Sequence, residues 1–159
     1  MGDSRRFDLF ADFIGRNFRC DSVVAEIASG NGKLHGALQK RGFSEITSWD
    51  KRPRNAGPRR MFRYGYFDHR NAPRGYNLVV GLHADAGTDE ALAYSIKHRV
   101  PFCICPCCVL PHAFPYQGYR YEHWIGHLIN LAERAKFRTV TTSLPMSGRN
   151  IVIAGWPQK

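Results

Sequence analysis

Nothing in the sequence approaches the ~18 consecutive apolar residues that a membrane-spanning helix requires, so a membrane protein is not expected. The opening, MGDSRRFDLFADF, has neither the long apolar stretch nor the small-residue cleavage site of a secretory signal. Five cysteines make an odd number, and four of them fall within residues 103–108, which is no disulfide framework. A reducing, cytoplasmic setting is the expectation. Paired Cys-x-x-Cys knuckles are absent, and with them the strongest sequence sign of structural zinc. Acidic residues are scarce, with 13 Asp plus Glu against 23 Lys plus Arg and a formal net charge of +10. That imbalance points to a polyanionic partner, above all nucleic acid; a basic soluble protein without one is the alternative. Repeats, low-complexity tracts and dividing linkers are lacking, so residues 1–159 are read as one domain with no sign of an obligate oligomer.

What is present alternates. Phe7, Phe10, Ala11, Phe13, Ile14 and Phe18 mark an amphipathic helix over about residues 4–18, capped by Asp3 or Ser4. Val23–Ile27 reads as a buried strand, Lys33–Lys40 as a helix stopped by Gly42, and Glu45–Trp49 as a second strand. A third strand is expected over Met61–Phe67 and a fourth over Asn77–Leu82. Then come a helix at Thr88–His98, a short strand at Pro101–Cys105, and a helix at Tyr121–Ala135 with Trp124, Leu128, Leu131 and Ala132 as its apolar positions. Arg138–Leu144 and Asn150–Gly155 close as two successive strands. This order predicts an α/β fold: a three-layer, doubly wound, Rossmann-like sheet of seven strands, mostly parallel, with an antiparallel last strand. Ligands of such sheets bind outside the carboxyl ends of the strands. The candidates there are the loop 28–32, Asp50, Phe67-Asp68, His83 to Asp85, and Pro106 to Cys108.

The first of these ends the stretch VVAEIASGNGKL, residues 23–34. A phosphate-cradling P-loop needs a glycine five residues before its Gly-Lys pair and a Ser or Thr after it. Here those positions hold Ile27 and Leu34, so that reading fails. A dinucleotide fingerprint needs a third small residue, and His35 stands there. What remains, Glu26-Ile-Ala28-Ser-Gly30-Asn-Gly32, resembles the first motif of class I S-adenosylmethionine (SAM) methyltransferases. Asp50 lies 18 residues beyond Gly32, where an acidic residue accepts hydrogen bonds from both hydroxyls of a nucleoside ribose. Two further stretches, NLVVGLHADAGTDEAL and PFCICPCC, sharpen the likeness. They resemble a branch of that family with Leu-His-x-(Cys or Asp) after strand four and Pro-Cys-Cys after strand five. The branch includes the tRNA 2′-O-methyltransferase that acts on the acceptor stem, although Asp85 stands where that enzyme has cysteine. The resemblance spans roughly residues 5–155.

The resemblance implies SAM as cofactor, held by Glu26, Ala28, Gly30, Gly32, Asp50, Phe67, Asp68 and His83, with Phe67-Asp68 packing on adenine and binding its amino group. It also implies catalysis beside His83 and Asp85: His83 as the base, since only histidine titrates near neutrality unperturbed, and Asp85 orienting His83 or a substrate proton. RNA (tRNA or rRNA) is the expected acceptor. A protein or small-molecule acceptor, or an inactive domain that binds RNA or a protein partner, remains open. No Asp/Asn-Pro-Pro-aromatic motif follows strand four, which argues against exocyclic base amines. Lys51, Arg52, Arg54, Arg59, Arg60 and Arg63 form a basic loop, followed by Tyr64, Tyr66 and Phe67: charge for phosphates and rings for bases. Substrate contacts are expected from Lys51, Arg52, Arg54, Arg59, Arg60, Cys107 and Cys108. Three readings exist for the cysteines. Cys107 or Cys108 is a nucleophile; Cys105, Cys107, Cys108 and His112 bind zinc with His123 and His127 nearby; or the Pro106-Cys107-Cys108 turn is structural, with Cys103 and Cys105 buried as small hydrophobes. The structural turn is the expectation, with no metal.

Overall fold

The computed structural model describes residues 2–52, 61–108 and 120–159. Arg54, Arg59, Arg60 and His112 therefore lie outside the described residues. The elements are α1 (Arg6–Asn17), β1 (Val23–Ile27), α2 (Lys33–Gln39), β2 (Glu45–Asp50), β3 (Phe62–Tyr64) and β4 (Leu78–Leu82), then α3 (Gly87–His98), β5 (Phe102–Cys105), α4 (Tyr121–Arg134), β6 (Phe137–Ser143) and β7 (Ile151–Pro157). The seven strands form one sheet in the order β3-β2-β1-β4-β5-β7-β6. Every neighbouring pair is parallel except those that involve β7, which runs antiparallel to both β5 and β6.

The central strands are apolar without alternation because helices cover both faces of a parallel sheet. All residues of β4 (LVVGL) and β5 (FCIC) are buried. Val24, Val80, Cys103 and Cys105 face a core closed by Phe10 and Ile14 of α1 and Leu38 of α2. Ala25, Val79, Phe102 and Ile104 face the other, closed by Tyr94 of α3 and Trp124 and Leu128 of α4. Leu131, expected on the apolar stripe of α4, is 38% exposed instead, because Trp124, Leu128 and Ala132 already complete that stripe. Neither expected residue caps α1 directly. Asp3 bonds the Arg5 and Arg6 backbone N–H groups through its carboxylate and carbonyl, and so opens the turn ahead of the helix.

The third strand is shorter than its sequence suggests. It ends at Tyr64 because Gly65, at φ 144°, turns the chain away, so Tyr66, Phe67 and Asp68 stand on the loop beyond it. At the other end of the sheet, Gly155 of β7 lies opposite Phe102 of β5, where a methyl group would overlap the phenyl ring. Gly155→Ala should therefore cost about 1–3 kcal/mol through overpacking. An unchanged urea midpoint would show that the ring has room to turn aside.

Candidate active site

The strand order reverses between β1 and β4, so the loops after these two strands border the crevice where doubly wound sheets bind ligands. A cleft of about 360 Å3 opens there, lined by Ala28, Asp50, Phe67, Asp68, His83 and Asp85 together with Lys51 and Arg52. A second, of about 250 Å3, adjoins it and shares Ala28, Arg52 and His83; Gly30 and Lys33 complete its wall. The expected site residues thus converge from separate strand ends. Gly32 caps α2 in the left-handed conformation, at φ 73°, which glycine adopts freely. Ala28, His83 and Asp85 take left-handed backbone as well, at φ 56°, 54° and 49°. For residues with a Cβ that conformation is unfavourable, and such strain clusters where function fixes the backbone.

Asp50 organises the glycine-turn end of the crevice. Its Oδ2 accepts the Gly30 N–H at 2.7 Å, and its Oδ1 accepts the backbone N–H and Nε of Arg52 at 2.9 and 3.2 Å. Burial opposes ionisation, but the Arg52 and Gly30 N–H groups and the Arg52 guanidinium outweigh it and hold Asp50 below the usual carboxylate range. Arg52, expected to meet substrate, is thereby paired with the Asp50 carboxylate.

Glu26 does something different. It is 1% exposed, lines neither cleft, and accepts the Ser48 hydroxyl, whose oxygen lies 2.7 Å from His35 Nδ1. Burial, with Asp50 adding repulsion, pushes its carboxyl up to about 8 against the bond from Ser48. Its side chain braces β1 against β2 and α2 beneath the glycine turn, because strand alternation turns it into the α1–α2 layer and away from the crevice.

Phe67 is 5% exposed and meets the Trp49 ring edge-on at 5.5 Å, which makes it part of the cleft's inner wall. The ring that stands out beside the cleft is Tyr66, 75% exposed, with Lys51 Nζ 5.7 Å from its centroid. Asp68 is held at about 2 by hydrogen bonds from the Arg70 side chain and backbone.

At the β4 end of the crevice, His83 Nε2 lies 2.8 Å from the Arg149 carbonyl. A carbonyl only accepts, so Nε2 carries the proton and Nδ1 keeps the lone pair. Burial lowers the affinity of the ring for a second proton, and the Arg149 carbonyl offsets this only in part. Asp85 does not orient His83: the bond to His83 comes from Arg149, and Asp85 Oδ1 instead accepts the Cys107 thiol at 3.1 Å. Cys107 Sγ is also 3.3 Å from Cys108 Sγ. Burial, Asp85 and Cys108 together push the Cys107 thiol far above its ordinary range, so it is no ready thiolate nucleophile. Cys103 and Cys105 are fully buried, as expected.

No protein-family model and no curated protein matches the sequence. Solved structures do match. The ribosomal protein L11 methylase from Lactobacillus delbrueckii subsp. bulgaricus aligns with 100% of this chain and 81% of its own, at a TM-score of 0.69 and 14% identity. The magnesium protoporphyrin IX methyltransferase from Synechocystis PCC 6803, solved with bound SAH, covers 96% of this chain and 82% of its own at 0.60 and 15%. The sugar N-methyltransferase KedS8 from a Streptoalloteichus species covers 96% and 88% at 0.64 and 14%. The fold is the one these methyltransferases share.

Two cleft residues and one supporting contact are not among those expected from the sequence. Trp49 lines the crevice from the end of β2, and Glu90 reaches it from the first turn of α3. Glu90 Oε2 accepts both the backbone N–H and Nδ1 of His69, at 2.8 and 2.7 Å, and so fixes the loop that carries Asp68. Arg149, which orients His83, comes from the β6–β7 connection, 66 residues away in sequence. Only an acidic pair after the Leu-His-x-Asp motif hints at Glu90; nothing local in the sequence marks Arg149.

Proposed function

We propose that this protein is a SAM-dependent methyltransferase acting on RNA. The observation that carries the first part is the tie between the Gly30 N–H and an anionic Asp50 at the fold's switch-point crevice. The residues fit the cofactor. Asp50 accepts from a ribose diol, the left-handed glycine turn lets backbone approach closely, and Ile27, Trp49 and Phe67 offer an apolar wall for a purine. Bound there, SAM would supply a methyl group on a sulfonium, open to in-line displacement. The chain then has to position the acceptor and take its proton. His83 is suited to the second task, because it is neutral, fixed in orientation and left with Nδ1 as its basic nitrogen.

Support for RNA comes from the edge of the sheet. Tyr64 and Tyr66 are 73% and 75% exposed, Lys51 lies against Tyr66, and Arg63 stands 5.4 Å from the Trp49 ring centroid. Exposed rings beside cations suit single-stranded nucleic acid, with bases stacking and phosphates paired. Tyr64→Ala and Tyr66→Ala should each weaken oligonucleotide binding by about 1–3 kcal/mol if a base stacks there. Lys51→Ala and Arg63→Ala should flatten the salt slope by about 0.7 for each single-strand phosphate that the removed cation neutralised. Fluorescence anisotropy across a salt series reads both, and unchanged curves would remove this edge from the interface. The reaction itself is tested by incubating the protein with methyl-labelled SAM and separate RNA and protein fractions, followed by mass spectrometry of the product. Label in the protein fraction alone would replace RNA by a protein acceptor; no label in either, with SAM bound, would leave a small-molecule acceptor or an inactive binding domain.

A further inference from the structure

One group of side chains beside the crevice is joined to itself by hydrogen bonds and not to Asp50 or to the His83 ring. Asp85 leaves the end of β4, and Cys107 and Cys108 leave the end of the neighbouring parallel strand β5. Their carboxylate and two thiols offer one ligand atom each, all within 4.8 Å of one another. The contacts are 3.1 Å from Cys107 Sγ to Asp85 Oδ1 and 3.3 Å between the two sulfurs. Asp85 is held there on left-handed backbone and also lines the 360 Å3 cleft. Three groups that repel one another when ionised have been brought together on adjoining strand ends, and at present thiol protons hold them together.

We propose that Asp85, Cys107 and Cys108 bind one zinc-class divalent cation. Two thiols select a soft or borderline metal over magnesium or calcium. Zinc–sulfur bonds of ~2.3 Å and zinc–oxygen bonds of ~2.1 Å would set tetrahedral ligands about 3.6–3.8 Å apart. The observed separations are about half an ångström shorter, so small outward rotations open the site. The ion takes the place of two protons: both thiols ionise, their protons pass to solvent, and the sulfurs and the carboxylate oxygen each donate a lone pair. Among the described residues these three side chains make up the group. The inference is independent of the methyl-transfer reading, since it needs no cofactor and no acceptor.

The test is titration of the metal-free, fully reduced protein with cobalt(II) and with zinc. Cobalt should bind in one equivalent and give the near-ultraviolet charge-transfer band of thiolate ligation. Zinc should displace it and release about two protons per ion, read with a pH indicator. Cys107→Ser and Cys108→Ser should each weaken binding at least about 100-fold, and Asp85→Asn by at least about tenfold. Cys20→Ser, at the exposed cysteine far along the chain, and His69→Ala, in the separate Asp68-His69-Glu90 group, should leave binding unchanged. Asp85 is exposed, so its variant reports on the site even if a cysteine variant misfolds. Binding without the sulfur band, binding that survives all three substitutions, or loss on replacing Cys20 or His69 would overturn the proposal.

Discussion

Asp50→Ala should weaken SAM and S-adenosylhomocysteine binding by about 100-fold. In the proposed function Asp50 meets the cofactor's ribose, and it is also the anchor of the glycine turn, since the same carboxylate accepts the Gly30 N–H at 2.7 Å. Hydrogen bonds to a charged group contribute about 1.5–3 kcal/mol each, and alanine removes the bond to the turn and those to the ribose. Water regained by the freed partners offsets part of that loss, which leaves about 2–3 kcal/mol, or roughly two decades in affinity. Asp50→Asn separates the contributions: it keeps a carbonyl oxygen for Gly30 or the ribose but removes the negative charge, so it should fall between wild type and alanine. Calorimetry on the folded proteins decides. Wild type that binds neither ligand would end the cofactor reading, and equal affinities across the series would show that Asp50 serves only the turn.

Glu26→Gln should flatten the dependence of stability on pH. The sign follows from the raised carboxyl. The folded state keeps Glu26 protonated up to about 8, whereas the unfolded chain releases that proton near 4.5. Between those values the unfolded state binds fewer protons, so stability is full at the acid end and falls as pH rises. The slope is about 1.4 kcal/mol per pH unit, and it levels off above the folded value. Glutamine has nothing to ionise and still offers a carbonyl to the Ser48 hydroxyl. Urea unfolding across this window should therefore show the variant gaining on wild type as pH rises. Parallel curves would mean that Glu26 ionises in the folded state with a partner other than Ser48. The arrangement also separates two neighbouring carboxyls. A neutral Glu26 in the layer beneath lets Asp50 remain an anion at the crevice, because each opposes the other's charge.

Regular elements are legible in the sequence because their signals are local. β1 begins and ends where its apolar run does, and Gly30, Gly32 and Asp50 stand at strand ends because loops there have few conformations. Edge strand β3 is shorter than its residue types suggest, since Tyr66 and Phe67 have strand-like chemistry while Gly65, between them and the strand, decides the path. The role of Glu26 is hidden for a different reason. An acidic residue in a ligand motif looks the same in sequence whether it faces the crevice or the helices, and only strand parity and the partner Ser48 distinguish the two. The bond between Asp85 and Cys107 joins two strand ends 22 residues apart, and the grip of Arg149 on His83 reaches across the end of β5. Contacts of that kind exist only once the strands are aligned.

The place of β7 bears on how the molecule is made. Residues 151–157 run between β5 and β6, and among the described residues these two strands meet only through them. A ribosome that has released everything up to the β6 strand therefore holds a chain with two open edges, one of them the wholly apolar FCIC of β5. Such edges invite pairing with other chains. The sheet cannot zip from its beginning to its end as it emerges, and its right-hand half must wait for a strand translated after both of its neighbours.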